Sequence, residues 1–306
     1  VAMAPPAGIP GGLAGSALAM RPRGGAARQL GAAGRPATGR AQKMGTVCFS
    51  GVAAAPAPSA GGTGGIIATI RAIAFYLTTI AISLPLFVIM LVQHPFVMMF
   101  DKYKRSAQHF VNDIWANLST FLYYPIEVTG KENLPPRGQP VVYVANHASY
   151  LDIFSLFALW RPFKFISKTS NFMIPIIGWS MFLTGHVGLK RLDRRSQMEC
   201  LQTCRNLLKE GVSVLFFPEG TRTDTGVMGE FKKGAFTIAA KEEVAVVPIT
   251  LVGTYNLMPN GGEGRLNRGK VQIHIHPSIT GGVKEADKMM DQARSVIASK
   301  LPPGSY

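Results

Sequence analysis

The feature that most constrains this chain is a run of 21 residues without a charged side chain, from Ala72 to Val92. A run of that length can cross the hydrocarbon core of a bilayer as one helix. Pro85 interrupts it, so a kinked span and a helix pair that enters and leaves through one leaflet both fit the pattern. We therefore predict a membrane-associated helical region over residues 65–122.

The sequence before this run has a different composition. Residues 1–64 are rich in Ala, Gly and Pro and show no hydrophobic periodicity, so they cannot bury enough apolar surface to offset their chain entropy. All seven charged residues before Asp101 are basic. Arg-bearing segments without acidic residues are typical of organelle transit peptides. We predict a disordered transit peptide over residues 1–64, with plastid favoured over mitochondrion and a plain disordered tail as the alternative.

The formal net charge of +15 implies an anionic partner. A basic cluster at residues 102–105 directly follows the apolar run, and this position suits an anionic lipid surface. Arg and Lys are not interleaved with aromatic residues as on a nucleic-acid platform, so we predict no nucleic-acid partner. The three cysteines do not form a disulfide framework, which indicates a reducing compartment.

From about Ile126 onward, apolar β-branched runs alternate with helical patterns. This alternation predicts an α/β domain over residues 123–306, with helices packed on a mostly parallel or mixed sheet. The predicted strands are Val141–Ala145, Phe163–Ser167, Val212–Phe217, Val244–Thr250 and Val271–His276. The predicted helices are Leu151–Leu159, Ser196–Leu208, Gly234–Lys241 and an amphipathic helix near the end, over Val283–Ile297.

A histidine and an aspartate with four residues between them follow the first of these strands. Ligands of open α/β sheets bind at the carboxyl ends of strands, so His147 stands where chemistry usually occurs. Five residues rotate about 500° on a regular helix, so His147 meets Asp152 only if it lies in the turn and bends back. Asp152 would then fix the imidazole tautomer while His147 acts as a base. Helix capping with Ser149 is the alternative role of Asp152.

A second group of polar residues follows the predicted strand Val212–Phe217. The segment Phe217-Pro218-Glu219-Gly220-Thr221-Arg222 places a carboxylate in a tight turn, with a guanidinium just beyond it. Exposed backbone N–H groups next to a guanidinium make a good phosphate site, and an ordinary turn with a solvated salt bridge is the alternative. Further basic residues near strand ends could complete an anion funnel: Lys168, Lys190, Arg191, Arg194, Arg195, Lys232 and Lys233.

Other site classes find no support. His274 and His276 share a face of a predicted strand, but they have no third ligand nearby, so we predict no metal site. The sequence contains neither a G-x-S-x-G elbow nor a Walker loop.

Four blocks in this order resemble the glycerolipid acyltransferase family, specifically the plastid type of 1-acylglycerol-3-phosphate acyltransferases. The resemblance spans about Ile126 to Ile279. The blocks are Asn146 to Asp152, with the H-x4-D pattern; Lys168 with Ile174 to Trp179 and Gly185 to Arg191; Phe217 to Arg222; and Val247 to Ile249.

This resemblance implies an α/β acyltransferase fold behind an N-terminal membrane helix or helix pair. It also implies transfer of a fatty acyl group from a thioester of acyl carrier protein or coenzyme A to the sn-2 hydroxyl of lysophosphatidate, giving phosphatidate without a cofactor. His147 would be the base and Asp152 its orienting partner. The implied acceptor-binding residues are Lys168, Arg191, Glu219, Gly220, Thr221 and Arg222.

The same resemblance implies a chloroplast envelope membrane as the location, with the endoplasmic reticulum or another organelle membrane as the alternative. Two further functions stay open at this point. One is a family member that acylates another acceptor, a lysophospholipid or glycerol-3-phosphate. The other is a non-catalytic protein that binds anionic lipid through the same basic residues.

Overall fold

The computed structural model describes residues 63–306. The predicted transit peptide over residues 1–64 lies almost entirely outside that range, so it stays a prediction. Within the described residues, two N-terminal helices precede an α/β domain that is built around one sheet.

The two N-terminal helices form an antiparallel pair. Helix α1 spans Thr63–Phe100 and continues through Pro85, while α2 spans Ser106–Phe121. The pairing direction is seen in two hydrogen bonds, because the side chain of Gln108 donates to Met90 O at 3.0 Å and that of Trp115 to Thr79 O at 3.2 Å. Among the described residues, α1 is the one helix long and apolar enough to cross a membrane, over Gly65–Phe100.

Helix α1 is apolar on both its protein side and its outer side. Ala72 and Phe75 are buried in the core of the α/β domain. A row of large apolar side chains on the same helix is exposed: Ile66, Ile70, Ile73, Leu77, Ile80, Leu84 and Val88. An exposed apolar surface of this size marks a membrane or protein contact, which agrees with the predicted membrane association.

The α/β domain contains a seven-stranded sheet with the order β1-β7-β6-β2-β5-β3-β4. All neighbouring strands are parallel except β6 and β7. The mixed sheet with helices on both faces confirms the predicted fold class. The strands are β1 Ile126–Thr129, β2 Val142–Ala145, β3 Lys164–Lys168, β4 Val187–Leu189, β5 Val214–Phe216, β6 Val246–Val252 and β7 Val271–Ile275.

The helices of the domain follow the strands in sequence. They are α3 Leu151–Leu156, α4 Ile177–Thr184, α5 Arg194–Lys209, α6 Gly234–Lys241, α7 Thr254–Leu257 and α8 Ala286–Ala298. One core forms between the sheet and α1, α2 and α3, and a second forms where α5, α6 and α8 cover the opposite face. Because β2 is buried on both faces, its residues alternate between the two cores, with Tyr143 in the first and Val142 and Val144 in the second.

Candidate active site

The turn after β2 brings His147 and Asp152 together at the carboxyl end of the strand. Nδ1 of His147 lies 2.8 Å from Oδ2 of Asp152. The same oxygen accepts hydrogen bonds from the backbone N–H groups of Ala148 at 2.7 Å and Ser149 at 2.8 Å. Asp152 therefore stabilises the turn before α3 and also orients the imidazole, so the two alternative roles are combined in one carboxylate.

The His147 ring is held by a second contact besides Asp152. It stacks on Phe217, with ring centroids 3.9 Å apart and planes 13° apart. Its side chain is 13% exposed and lines a cavity, whereas the carboxylate of Asp152 is fully buried. Since Nδ1 faces Asp152, Nε2 is the ring nitrogen free to exchange a proton with a bound substrate.

Asn146 fixes the start of this turn to the neighbouring strand. Its side-chain amide donates to Leu251 O at 2.9 Å and its carbonyl accepts from the N–H of Leu251 at 2.8 Å. This pair replaces backbone pairing at the point where β2 leaves the sheet. The sequence motif contains Asn146 but indicates no role for it, because its partner lies 105 residues away.

Glu219 lies behind His147 and is 8% exposed. Its Oε1 accepts from the backbone N–H of His147 at 2.7 Å, and its Oε2 accepts from that of Gly229 at 2.8 Å. Burial raises the pKa of this carboxyl, and the two backbone hydrogen bonds oppose that shift. Both carboxylate oxygens are therefore engaged in holding the backbone, so Glu219 acts as a positioning residue here, and its direct contact with an acceptor stays a prediction.

The remaining predicted acceptor-binding residues meet at one cavity of about 950 Å³, which His147 also lines. The cavity is lined by Lys168 from β3, Arg191 after β4, and Gly220, Thr221 and Arg222 after β5. These residues come from three separate segments of the chain. The structure thus brings the predicted residues together, with Glu219 behind the cavity wall.

Lys232, which the sequence suggests as a candidate for a lipid head group because it follows the Arg222 turn, lines the same cavity. The Nζ of Lys232 lies close to Gly220. A Cβ added to that glycine would be only 2.5 Å from this nitrogen. The adjacent Lys233 points elsewhere and pairs with Asp287 at 2.6 Å. Arg195 likewise pairs with Glu199 on the surface of α5, at 2.9 Å. Of the seven basic residues named from the sequence, three thus line the cavity and two form surface ion pairs, while Lys190 and Arg194 do neither within the described part of the chain.

The buried part of the cavity wall is mainly apolar. The cavity walls include aromatic and aliphatic side chains from α2, α3, β3 and α4: Trp115, Ile153, Phe154, Phe165, Ile177 and Met181. A cavity with a cationic mouth, a histidine and apolar walls suits an amphiphile that carries an anionic group and a hydrocarbon chain.

His274 in β7 and His276 directly after it form hydrogen bonds with threonines. His274 Nδ1 lies 2.7 Å from the hydroxyl of Thr129, and His276 Nε2 lies 2.8 Å from that of Thr250. Burial, with the neighbouring cationic groups, lowers the pKa of both imidazoles. No group of three or more His, Cys, Asp or Glu side chains among residues 63–306 could hold a metal ion.

A histidine–aspartate pair at a strand end, beside a cationic and apolar cavity, matches the site that the resemblance implies for acyltransferases that act on lipid acceptors. Comparison with known proteins agrees, because the family described as Acyltransferase matches residues 125–252. The chain is 58% identical over 260 residues to a 1-acyl-sn-glycerol-3-phosphate acyltransferase of Chlamydomonas reinhardtii, covering 84% of this chain and 78% of that protein. The chain belongs to the 1-acyl-sn-glycerol-3-phosphate acyltransferase family.

Two other relatives extend this comparison. A chloroplastic 1-acyl-sn-glycerol-3-phosphate acyltransferase of Arabidopsis thaliana is 54% identical over 216 residues, which cover 71% of this chain and 60% of the relative. The crystal structure of the 1-acyl-sn-glycerophosphate acyltransferase PlsC from Thermotoga maritima is similar, with a TM-score of 0.65 and 26% identity. The match covers 76% of this chain and 95% of PlsC.

Proposed function

We propose that this chain transfers a fatty acyl group from an acyl thioester to the sn-2 hydroxyl of lysophosphatidate, giving phosphatidate. The observation that carries the proposal is the 2.8 Å contact between His147 and Asp152 at a cavity with a cationic mouth. The named activity of the algal and plant relatives, at 50–58% identity, supports the same acceptor. The pair of catalytic groups disfavours a protein that only binds anionic lipid.

In the proposed reaction, Nε2 of His147 takes the proton of the acceptor hydroxyl as that oxygen attacks the thioester carbonyl. A C–O bond forms, the C–S bond breaks, and the proton passes from His147 to the leaving thiolate sulfur. The acceptor hydroxyl is the nucleophile, so no covalent enzyme intermediate is needed. Asp152 stabilises the imidazolium that forms during the transfer.

The acceptor phosphate would be bound by the cations at the mouth of the cavity. Arg222 offers several N–H donors in a planar group that matches phosphate oxygens. Arg191 and Lys168 add positive charge from the neighbouring β4 and β3 segments. Gly220 and Thr221 form the turn that presents Arg222, and Glu219 fixes that turn against the backbone of His147.

The acyl chain of the donor would occupy the apolar part of the cavity, where it is removed from water. The exposed apolar surface of α1 would keep the site beside a bilayer that contains the acceptor. We infer that this bilayer is a plastid membrane, the chloroplast envelope, because two of the similar relatives are chloroplastic. In that compartment acyl carrier protein would be the donor carrier, and coenzyme A is the alternative.

The proposal is tested with membranes that contain the full chain and a labelled acyl thioester on either carrier. Lysophosphatidate, glycerol-3-phosphate and lysophosphatidylcholine are offered separately as acceptors. We expect labelled phosphatidate from lysophosphatidate and far slower product formation from the other two. Equal use of all three acceptors, or no thioester consumption with any, would contradict the proposed acceptor.

A further inference from the structure

One carboxylate stands among the cations at the mouth of the cavity. Oε1 of Glu263 lies 2.6 Å from Nη1 of Arg222, and their side chains are 35% and 31% exposed. Among the described residues that line the cavity, Glu263 is the only acidic one. It therefore partly neutralises the guanidinium that is best suited to bind a phosphate.

The segment that bears Glu263 is held in place by α1. The backbone N–H of Leu266 donates to Ala68 O at 2.9 Å, and Nε of Arg71 donates to Leu266 O at 3.2 Å. The hydroxyl of Tyr76 donates to the backbone carbonyl of Glu263 itself, at 2.9 Å. Three contacts thus fix the connection between α7 and β7, so the carboxylate lies at a defined place beside Arg222.

The side chain of Glu263 carries a negative charge at neutral pH. Burial raises the pKa of its carboxyl, but hydrogen bonds from backbone groups and from Arg222 outweigh burial, and the net pKa lies below the usual value. A phosphomonoester that approaches Arg222 therefore meets a fixed negative charge. The repulsion grows in proportion to the charge on the phosphate.

We propose that Glu263 is a specificity-determining residue, a fixed counter-charge that weakens the binding of phosphate-bearing lipids in proportion to their negative charge. This inference rests on the proposed function, since it assumes that Arg222 binds the acceptor phosphate. The product phosphatidate carries the same phosphomonoester as the acceptor. The same carboxylate therefore also promotes product release.

The test uses the variant Glu263→Gln of the full chain, which removes the negative charge and keeps a hydrogen-bond acceptor for Arg222. Steady-state KM is measured for lysophosphatidate, a phosphomonoester, and for lysophosphatidylglycerol, a phosphodiester with less negative charge. We expect the KM for lysophosphatidate to fall about threefold or more and that for lysophosphatidylglycerol to fall less. Raising the salt concentration should reduce the difference in KM for lysophosphatidate between the variant and the wild type.

The matched control is Glu127→Gln. Glu127 lies on β1, away from the cavity, and the substitution removes its exposed ion pair with Lys270. We expect this variant to keep the wild-type KM for both acceptors. KM does not depend on the amount of folded enzyme, so the comparison holds even if Glu263→Gln lowers the yield of folded protein. Glu263→Ala, which also removes the hydrogen bond to Arg222, serves as a second test of the same charge effect.

An unchanged or raised KM for lysophosphatidate in Glu263→Gln would overturn the inference, since Glu263 would then only orient Arg222. An equal fall for both acceptors would also overturn it, because the effect would not scale with charge. These outcomes differ from a failure of the proposed function, in which wild-type protein does not acylate lysophosphatidate at all.

Discussion

The carboxylate of Glu219 accepts a hydrogen bond from the backbone N–H of His147 at 2.7 Å. This bond connects the segment after β5 to the turn after β2. A second hydrogen bond joins the same two segments, because the backbone N–H of Thr223 donates to His147 O at 3.0 Å. The imidazole position thus depends on a segment more than seventy positions away. Asp152 fixes the ring, and Glu219 fixes the backbone that carries it.

Replacing Glu219 with Gln tests this backbone contact. One carboxylate oxygen becomes an NH2 group, which cannot accept from the N–H of His147 or Gly229, so one buried hydrogen bond is lost. We expect kcat to fall about tenfold or more, because small displacements of a catalytic group are costly. The exposed Glu230→Gln variant is the control. Wild-type kcat in Glu219→Gln would show that the contact does not position His147.

Asp152→Asn separates the electrostatic role of this residue from its role in the turn. The amide oxygen can still accept from the N–H groups of Ala148 and Ser149, but it no longer offers a negative charge to the imidazolium. We expect kcat to fall about 10²-fold or more while the protein stays folded. Thermal unfolding and acceptor KM are measured alongside. An unfolded variant would indicate that Asp152 chiefly supports the turn.

Gly220→Ala tests the approach of Lys232 to the turn. Gly220 has a φ of +80°, and an added Cβ would displace the Lys232 ammonium. Gly138→Ala is a matched control, since that glycine has a φ of +92° with nothing within 4 Å of the added Cβ. Both variants should lose about 1 kcal/mol from left-handed backbone strain.

Only Gly220→Ala should raise the KM for lysophosphatidate, by several-fold. Thermal unfolding and acceptor kinetics of the two variants are compared side by side. Equal acceptor KM values would mean that Lys232 does not contribute to the phosphate site.

Lys164 gives the protein a predictable pH dependence of stability. It is 1% exposed, and its Nζ donates to the carbonyls of Lys104 and Thr184, each at 2.6 Å. Burial, with the nearby charge of Arg105, lowers its pKa from 10.5 to about 7. Between these values the unfolded chain binds the proton and the folded chain does not, so stability rises with pH.

The slope from this one group is at most about 1.4 kcal/mol per pH unit, and the contribution is lost as pH falls through about 7. Lys164→Met removes the group. We expect the Tm of wild type minus that of the variant to increase from pH 7 to pH 9. A difference that does not change with pH would contradict the lowered pKa.

The sequence predicted the strands that carry the site, because β2, β5 and β6 are apolar runs buried on both faces. It did not predict β1 or β4, which are short, half-buried strands at the sheet edges. Helix α2 was covered only by the general membrane-associated region. The predicted apolar run of 72–92 proved to be the middle of a helix that begins at Thr63 and ends at Phe100.

Local spacing allowed His147 to meet Asp152 only in a bent turn and left helix capping open as the alternative, and the resemblance to the acyltransferase family favoured the meeting. The contact between Arg222 and Glu263 joins residues 41 positions apart. No local pattern marks Glu263, because its position depends on how α1 holds the segment after α7. Contacts of this kind follow from tertiary packing and become visible only in the folded chain.

The central claim is tested most directly by thioester turnover in membranes that contain His147→Ala, with lysophosphatidate as acceptor and His274→Ala as the control. We expect His147→Ala to lose about 10³-fold or more of the wild-type rate while it stays folded in the membrane. His274→Ala, on β7 and outside the cavity lining, should keep the wild-type rate. Near-native turnover in His147→Ala would contradict its assignment as the catalytic base.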